Sequence, residues 1–220
     1  VVLKTLGGDA TALLAGASKA INATPEYTSI EKLVLTAKGG AGDAAPQAGG
    51  SGNITLDVSK ISGLTEIVND SSAPGLANGG TAGTGNVSLT EVSLSTKIGF
   101  KGEVSGDTSV AFKDATGSSD TVSVALDGAT VTGATTLNGV ETLNVSSTGT
   151  SSIALAADSA KAVNLSGTGT LTFSTTSGVL ETVTNTSTGT VNVDLSSNDK
   201  IKAYTGSAAV DNVTIDTAGL

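Results

Sequence analysis

The chain has 220 residues, a formal net charge of −9 and only 2% aromatic residues. All 11 of its cationic residues are lysines, and it contains no His, Cys or Trp. The lack of Arg and His disfavours binding of nucleic acid or phosphate, catalysis by a histidine base, and zinc, copper or haem sites. No apolar run reaches the ~18 residues that a membrane span needs. A core with so few rings suits a thin stack of coils better than a broad sandwich.

The N-terminal part contains one helix candidate, one strand and two glycine-rich loops. Asp9 is a suitable helix cap, and the apolar residues that follow it are compatible with a short helix or turn over 9–21. Alternation predicts a strand over 29–36. Glycine-rich stretches predict loops over 38–53 and 71–84.

Two internal repeats indicate that the chain stacks similar units. In the first repeat, Gly50-Ser-Gly-Asn-Ile-Thr-Leu56 aligns with Gly83-Thr-Gly-Asn-Val-Ser-Leu89. In the second, Val140-Glu-Thr-Leu-Asn-Val-Ser-Ser-Thr-Gly-Thr150 aligns with Leu180-Glu-Thr-Val-Thr-Asn-Thr-Ser-Thr-Gly-Thr190. From residue 140 onward, short alternating strands recur at a nearly constant spacing, separated by Ser, Thr, Gly, Asn or Asp. This pattern is typical of a solenoid, whose units bury together a face that none could bury alone.

The predicted fold is therefore all-β, a parallel β-solenoid (β-helix) of stacked coils of about 20 residues with two strands each, or about eleven coils. Longer strands near 97–131 leave an irregular or antiparallel section there as an open alternative. We expect one solenoid segment of a larger protein over 1–220, with an irregular N-terminal part over 1–96 and regular repeats over 97–220. The residues predicted to face inward are Leu143, Val145, Val163, Leu165, Leu171, Phe173, Val183, Val191 and Val193.

Aspartates in the turns of 107–127 are the candidate metal ligands. Calcium takes about six to eight oxygen ligands from carboxylates, carbonyls and waters. Asp114 and Asp120 flank Gly117, which would let the loop curl so that both carboxylates face one point. The alternative is that these aspartates only make turns. Calcium is the one predicted cofactor, and its predicted ligands are Asp107, Asp114, Asp120 and Asp127.

Five glutamates stand just before or within an apolar pair, at equivalent points of the pattern. In stacked coils such residues either pair with lysines of neighbouring coils or form a solvated outer face, where exposed ion pairs contribute little. They are Glu31, Glu66, Glu91, Glu141 and Glu181.

The C-terminal half carries a family resemblance. Gly139-Val-Glu-Thr-Leu-Asn-Val145 and Leu155-Ala-Ala-Asp-Ser-Ala-Lys-Ala-Val-Asn-Leu-Ser-Gly167 resemble repeat segments of Gram-negative bacterial surface-layer (S-layer) proteins and related type I-secreted, RTX-like surface proteins. Residues 101–127 are similar in style. The resemblance implies a β-solenoid, calcium-dependent assembly into a two-dimensional lattice, and export without a cleaved signal. The full nonapeptide of RTX repeats is absent from the sequence.

Three functions follow as hypotheses. The first is a structural protein of the extracellular cell surface that assembles with copies of itself, assisted by calcium. The alternative is an adhesin or glycan-binding module that binds cell-surface polysaccharide, although only Tyr27 and Tyr204, besides three Phe, offer rings. A β-helical polysaccharide-active enzyme is disfavoured, because the chain has no Arg, no His and no adjacent pair of acids. We therefore predict that the chain is not an enzyme.

Overall fold

The computed structural model describes residues 2–4, 11–13, 28–39, 53–72, 81–82 and 84–216. These residues form strands and turns, with no helix among them. The strands, in chain order, are β1 (Val2–Lys4), β2 (Thr11–Leu13), β3 (Lys32–Leu35), β4 (Lys38–Gly39), β5 (Ile54–Asp57), β6 (Glu66–Asp70), β7 (Thr81–Ala82), β8 (Val87–Val92), β9 (Lys97–Val104), β10 (Thr108–Phe112), β11 (Thr121–Val131), β12 (Thr135–Leu137), β13 (Thr142–Thr148), β14 (Thr150–Ala156), β15 (Ala162–Gly167), β16 (Thr170–Thr176), β17 (Thr182–Asn185), β18 (Val191–Asp194), β19 (Ala203–Thr205) and β20 (Asp211–Thr214).

Sixteen of these strands form one wrapped sheet made of two parallel stacks. The first stack has the order β3-β6-β9-β11-β13-β15-β17-β19, and the second has the order β5-β8-β10-β12-β14-β16-β18-β20. The long strand β11 joins the two stacks where Thr130 pairs with Ser152 of β14. One strand from each stack makes one coil, so the described residues wind through eight coils. This arrangement confirms the predicted parallel β-solenoid.

The coils are regular only in the C-terminal half. Thr142 of β13 pairs with Ala162 of β15, and Ala162 pairs with Thr182 of β17. These two equal steps confirm the predicted coil of about 20 residues for this half. The first two steps of the same stack are much longer, since Lys32 pairs with Glu66 and Glu66 with Lys97. The described residues consequently form eight coils rather than the predicted eleven.

The antiparallel alternative for residues 97–131 is wrong. Strands β9, β10 and β11 all pair parallel with their neighbours in the stack. The stretch is irregular in another sense, because the register shifts between Asp127 and Ala129 of β11 and between Val110 and Phe112 of β10.

The prediction of inward residues is confirmed. Apolar side chains of the two stacks meet in one continuous core that runs from coil 1 to coil 7. All nine predicted core residues are buried, with at most 2% of each exposed, because alternation turns every second side chain of a strand inward. They are Leu143, Val145, Val163, Leu165, Leu171, Phe173, Val183, Val191 and Val193.

The predicted helix near the N-terminus is wrong where the structure describes it. Thr11–Leu13 form β2, which pairs antiparallel with β1; the rest of 9–21 lies outside the described residues. The predicted strand over 29–36 is found as β3. Most of the two glycine-rich loops lies outside the described residues, but their edges meet, because β4 pairs antiparallel with β7.

Glycine is required where coils turn a corner. Gly149, Gly169 and Gly189 lie one above another in successive coils. A Cβ on Gly169 would collide with the carbonyl oxygen of Gly149, and a Cβ on Gly189 with that of Gly169. Only residues without a side chain allow backbones to approach this closely.

Candidate interaction surfaces

Asp107, the first predicted calcium ligand, belongs to a polar ladder at a corner of the solenoid. Asn86 donates its backbone N–H to Asn53 Oδ1, Asp107 donates its N–H to Asn86 Oδ1, and Ala134 donates its N–H to Asp107 Oδ1, each at 2.9 Å. Each of these three side-chain oxygens thus satisfies a backbone donor of the next coil, which β-pairing leaves free at a corner. The structure gives Asp107 a structural role.

The other three predicted ligands lie apart along the chain. Asp114 is exposed and has a positive φ of 62° in the turn after β10. Asp120 accepts the N–H of Gly117 on Oδ2 at 2.9 Å, so the loop does curl, but toward its own backbone. Asp127 lies within β11, where it forms an ion pair with Lys101 at 3.2 Å and accepts the hydroxyl of Thr148.

Within the described ranges, no group of three or more His, Cys, Asp or Glu side chains could hold a metal ion. The structure therefore does not bring three of the four predicted ligands together. Sequence reasoning missed Asn53 and Asn86 as partners of Asp107. The signal was available, because both asparagines follow glycine in the first internal repeat and Asp107 follows Gly106 in the same way.

A polar groove of about 430 Å³ crosses the second stack over coils 1–4. The polar ladder forms one side, and a column of hydroxyls runs beside it. The hydroxyls of Ser88 and Ser109 are 3.3 Å apart. We use the name polar groove for the surface of Asn53, Thr55, Asn86, Ser88, Asp107, Ser109 and Thr136.

A second cavity, of about 390 Å³, lies on the outer face of the first stack over coils 1–4. Its floor is apolar and consists of Val34, Val68, Gly99 and Ala125, which pair in that order. Charged residues stand on both sides of this floor. We call this surface the charged trough.

The first rim of the charged trough is a three-residue ion-pair column. Glu66 lies between Lys32 and Lys97, with a carboxylate oxygen 2.8 Å from each ammonium nitrogen, and 18% of its side chain is exposed. Partial burial acts to raise the pKa of the Glu66 carboxyl, but the hydrogen bonds and charges of the two lysines outweigh it, so the pKa lies below its ordinary value. Of the five glutamates singled out in the sequence, Glu66 pairs with lysine in this way, and Glu181 pairs with Lys202 at 2.7 Å.

Beyond β11 the outer face of the first stack carries no charge within its described strands. Asn164 donates its side-chain N–H to Asn144 Oδ1 at 2.8 Å, one coil below. The hydroxyls of Ser146 and Thr186 donate to backbone carbonyls of the preceding coil. These bonds fix the polar side chains in columns that repeat from coil to coil. The outward polar residues of these strands are Thr142, Asn144, Ser146, Thr148, Asn164, Ser166, Thr182 and Thr184.

No protein-family model, curated protein or solved structure matches this chain. In the parts of the chain that the structure describes, no helix has the length and apolar character to cross a membrane.

Proposed function

We propose that the chain is a structural segment of an extracellular surface layer, assembling with copies of itself and assisted by calcium. The observation that carries the proposal is the stack of parallel coils, whose outer face in the C-terminal half repeats similar polar side chains at equal steps. Such a stack is a stiff rod with periodic surfaces, which suits repeated contacts between identical subunits.

The chemistry of the chain supports a structural role over a catalytic one. It has no His, Cys or Arg to serve as base, nucleophile or oxyanion partner. Several of its carboxylates are occupied by corner turns, as in the Asx bonds of Asp57, Asp70 and Asp194, and Glu66 is occupied by two lysines. The absence of cysteine suits a protein exported unfolded, since no disulfide would form before export.

Electron microscopy of the purified chain, incubated with excess Ca²⁺ or with chelator, tests this function. Ordered two-dimensional sheets are expected in Ca²⁺ and dispersed particles in chelator. Dispersed particles in both conditions, across the concentrations at which the chain stays soluble, would contradict the proposal.

A second candidate, binding of a neutral cell-surface polysaccharide, is favoured by the polar groove. Its walls offer hydroxyl and amide groups, with Asp107 as the only charged side chain among its lining residues. Glycan binding measured by calorimetry should weaken in Ser88→Ala and Ser109→Ala. Thr172→Ala, on the same stack but outside the groove, is the matched control. Equal binding by the parent chain and all three variants would remove this candidate.

A further inference from the structure

Charge alternates from coil to coil along the first rim of the charged trough. Lys32, Glu66 and Lys97 stand in register on β3, β6 and β9. Ser123, the residue before the Val124–Ile98 pair, continues the column on β11 and is exposed. The column therefore runs positive, negative, positive, neutral.

The second rim carries the opposite sequence of charges. Asp70, Lys101 and Asp127 stand in register on β6, β9 and β11. In the first coil the column begins with Thr36, which donates its hydroxyl to the Asp70 carbonyl at 2.9 Å. This column runs neutral, negative, positive, negative. Asp70 accepts the N–H and the hydroxyl of Ser72 on Oδ1, and both bonds leave its negative charge on the rim.

The floor between the rims pairs a valine with a glycine. Val68 is the outward apolar residue of β6, and its neighbour in β9 is Gly99, which has no side chain. A Cβ on Gly99 would lie 2.9 Å from Val68 Cγ2, so the valine already fills part of the space that glycine leaves. The valine therefore leans over the glycine, and only 8% of Val68 is exposed, so this part of the floor is level.

We propose that the charged trough is a contact between two copies of this chain, related by a two-fold axis that runs parallel to the strands and passes between β6 and β9. This rotation keeps the strand direction and reverses the order of the coils. It places Glu66 opposite Lys97 of the second copy, and Asp70 opposite Lys101 of the second copy. Symmetry repeats each pair, so four opposite-charge pairs form and no like charges meet. The apolar floors of the two copies then face each other, with Val68 of each copy opposite Gly99 of the other.

Two copies could also meet face to face across a two-fold axis that runs along the solenoid, but the charge pattern disfavours that arrangement. An axis along the solenoid would place Glu66 opposite Asp70 and Lys97 opposite Lys101, and like charges brought together at an interface are strongly disfavoured. Since each chain already carries a charge of −9, close approach of two copies needs local complementarity of this kind.

A single contact of this type is weak. It spans four coils, or ~14 Å along the stack, and covers less than the ~800 Å² per partner of a standard stable interface. Weak contacts of this size add up when many copies are held together. The inference rests on the proposed surface layer and names the lateral contact within it.

Disulfide trapping tests the contact directly, because the chain contains no native cysteine. The axis places Lys32 opposite Ser123 of the second copy, so a mixture of Lys32→Cys and Ser123→Cys chains should form mixed disulfide dimers on mild oxidation. Each variant oxidised alone is the control, since its cysteine and the symmetry-related one are three coils apart, ~14 Å. Mixed dimers no more abundant than these self-dimers would overturn the proposal.

Exchanging the charges at positions 70 and 101 distinguishes trapping through this contact from trapping through random collisions. Asp70→Lys, added to both cysteine variants, should reduce trapping about tenfold, because the new ammonium group would then face Lys101 of the second copy. Asp70→Asn keeps an oxygen acceptor for the turn bonds from Ser72 and should reduce trapping less. Adding Lys101→Asp to the Asp70→Lys chains should restore trapping, because the lysine at position 70 would then face the aspartate at position 101 of the second copy. A double exchange that stays as poor as Asp70→Lys would also overturn the proposal. Circular dichroism shows whether each chain is folded.

The two proposals fail separately. Sheets in the microscope without trapping at Lys32 and Ser123 would retain the surface layer and reject this contact. Trapping without sheets would retain the contact and reject the surface layer.

Discussion

Adding a single Cβ atom to the glycine column at the corner of coils 5–7 tests whether these coils need glycine. Gly169→Ala would bring its Cβ against the Gly149 carbonyl oxygen, so the coils must separate locally. We expect the free energy of unfolding to fall by about 1–3 kcal/mol, as in other overpacked sites, measured by urea denaturation.

Gly178→Ala is the matched control for Gly169→Ala. A Cβ at Gly178 meets nothing within 4 Å, and this glycine does not have a positive φ. The change should be neutral or stabilise by up to about 1 kcal/mol through the unfolded state. Equal losses at both positions would mean that the close approach of coils is not what requires glycine.

The Glu66 ion pairs give stability a defined dependence on pH. The folded-state pKa of Glu66 lies below its ordinary value, so its contribution is fully present above the unfolded pKa of about 4.3 and is lost as pH falls through the folded pKa. Glu66→Gln should therefore lower the free energy of unfolding at neutral pH by about 0.5–1 kcal/mol, and the difference from the parent chain should shrink in acid.

Urea denaturation between neutral pH and the acid range checks the Glu66 prediction. Glu103→Gln, at an exposed position of β9, is the control and should change stability by less than about 0.5 kcal/mol. A Glu66→Gln difference that grows in acid would contradict the expected sign of the pH dependence.

Calcium is tested by thermal melts in Ca²⁺ and in chelator. If Asp114 and Asp120 hold the ion, saturating Ca²⁺ at about 100 times the dissociation constant should add roughly 2.7 kcal/mol to the parent chain. Asp114→Ala and Asp120→Ala should lose most of that gain, whereas Asp158→Ala, in another exposed turn, should keep it. A parent chain whose Tm is indifferent to Ca²⁺ would remove calcium from this segment.

The partners of the turn aspartates could not be predicted from the sequence. Asp107 and Asp120 are expected as ligands because short carboxylates in turns suit both calcium and backbone donors. Their actual partners, the N–H groups of Ala134 and Gly117, depend on which coil lies above and how the loop closes. Neither the stacking of the coils nor the closure of the loop follows from the residue types alone.

The two faces of one strand differ in how much a side chain contributes to stability. Phe173 is fully buried in β16 and is in register with Ile153 and Val193 in the neighbouring coils. Phe173→Ala should cost about 3–5 kcal/mol in urea denaturation. Thr172→Ala, one residue earlier and facing solvent, should change stability by less than about 0.5 kcal/mol. A comparable loss from both changes would contradict the assigned strand faces.

Strands and their buried faces were predictable from the sequence where the coils are short and regular. The alternation around Leu143, Leu165 and Val183 indicated both the strand and its buried face, because a period of two leaves one assignment. Coil length was wrong near the N-terminus, since residues inserted between β3 and β6 hide the pairing of Lys32 with Glu66. The parallel pairing of β9 with β11 was ambiguous for the same reason, because it joins residues that lie further apart than one regular coil.

At the scale of the molecule, the two halves of the first stack differ in character. Coils 1–4 carry the charged trough, and later coils carry uncharged polar columns. At the far end, Val213 and Ile215 in the last coil are 37% and 48% exposed, although their counterparts one coil below, Val193 and Leu195, are buried. The solenoid thus offers different chemistry along its length, although its backbone repeats.

The order of the coils has a mechanical consequence. The described chain enters the stack at coil 1 and leaves it at coil 8, so tension between residues 28 and 216 acts along the rod. Under such a load each end coil peels from its neighbour by opening its ladder one bond pair at a time, instead of shearing many bonds at once. Each released regular coil should lengthen the chain by ~65 Å, from ~3.5 Å per extended residue less the ~5 Å that the coil occupied.

An optical trap should therefore record a series of small, even steps, with larger ones for the long N-terminal coils; one single rupture would contradict this. A layer built from such rods would absorb a sudden stretch by unfolding coil after coil and so lengthening the chain gradually.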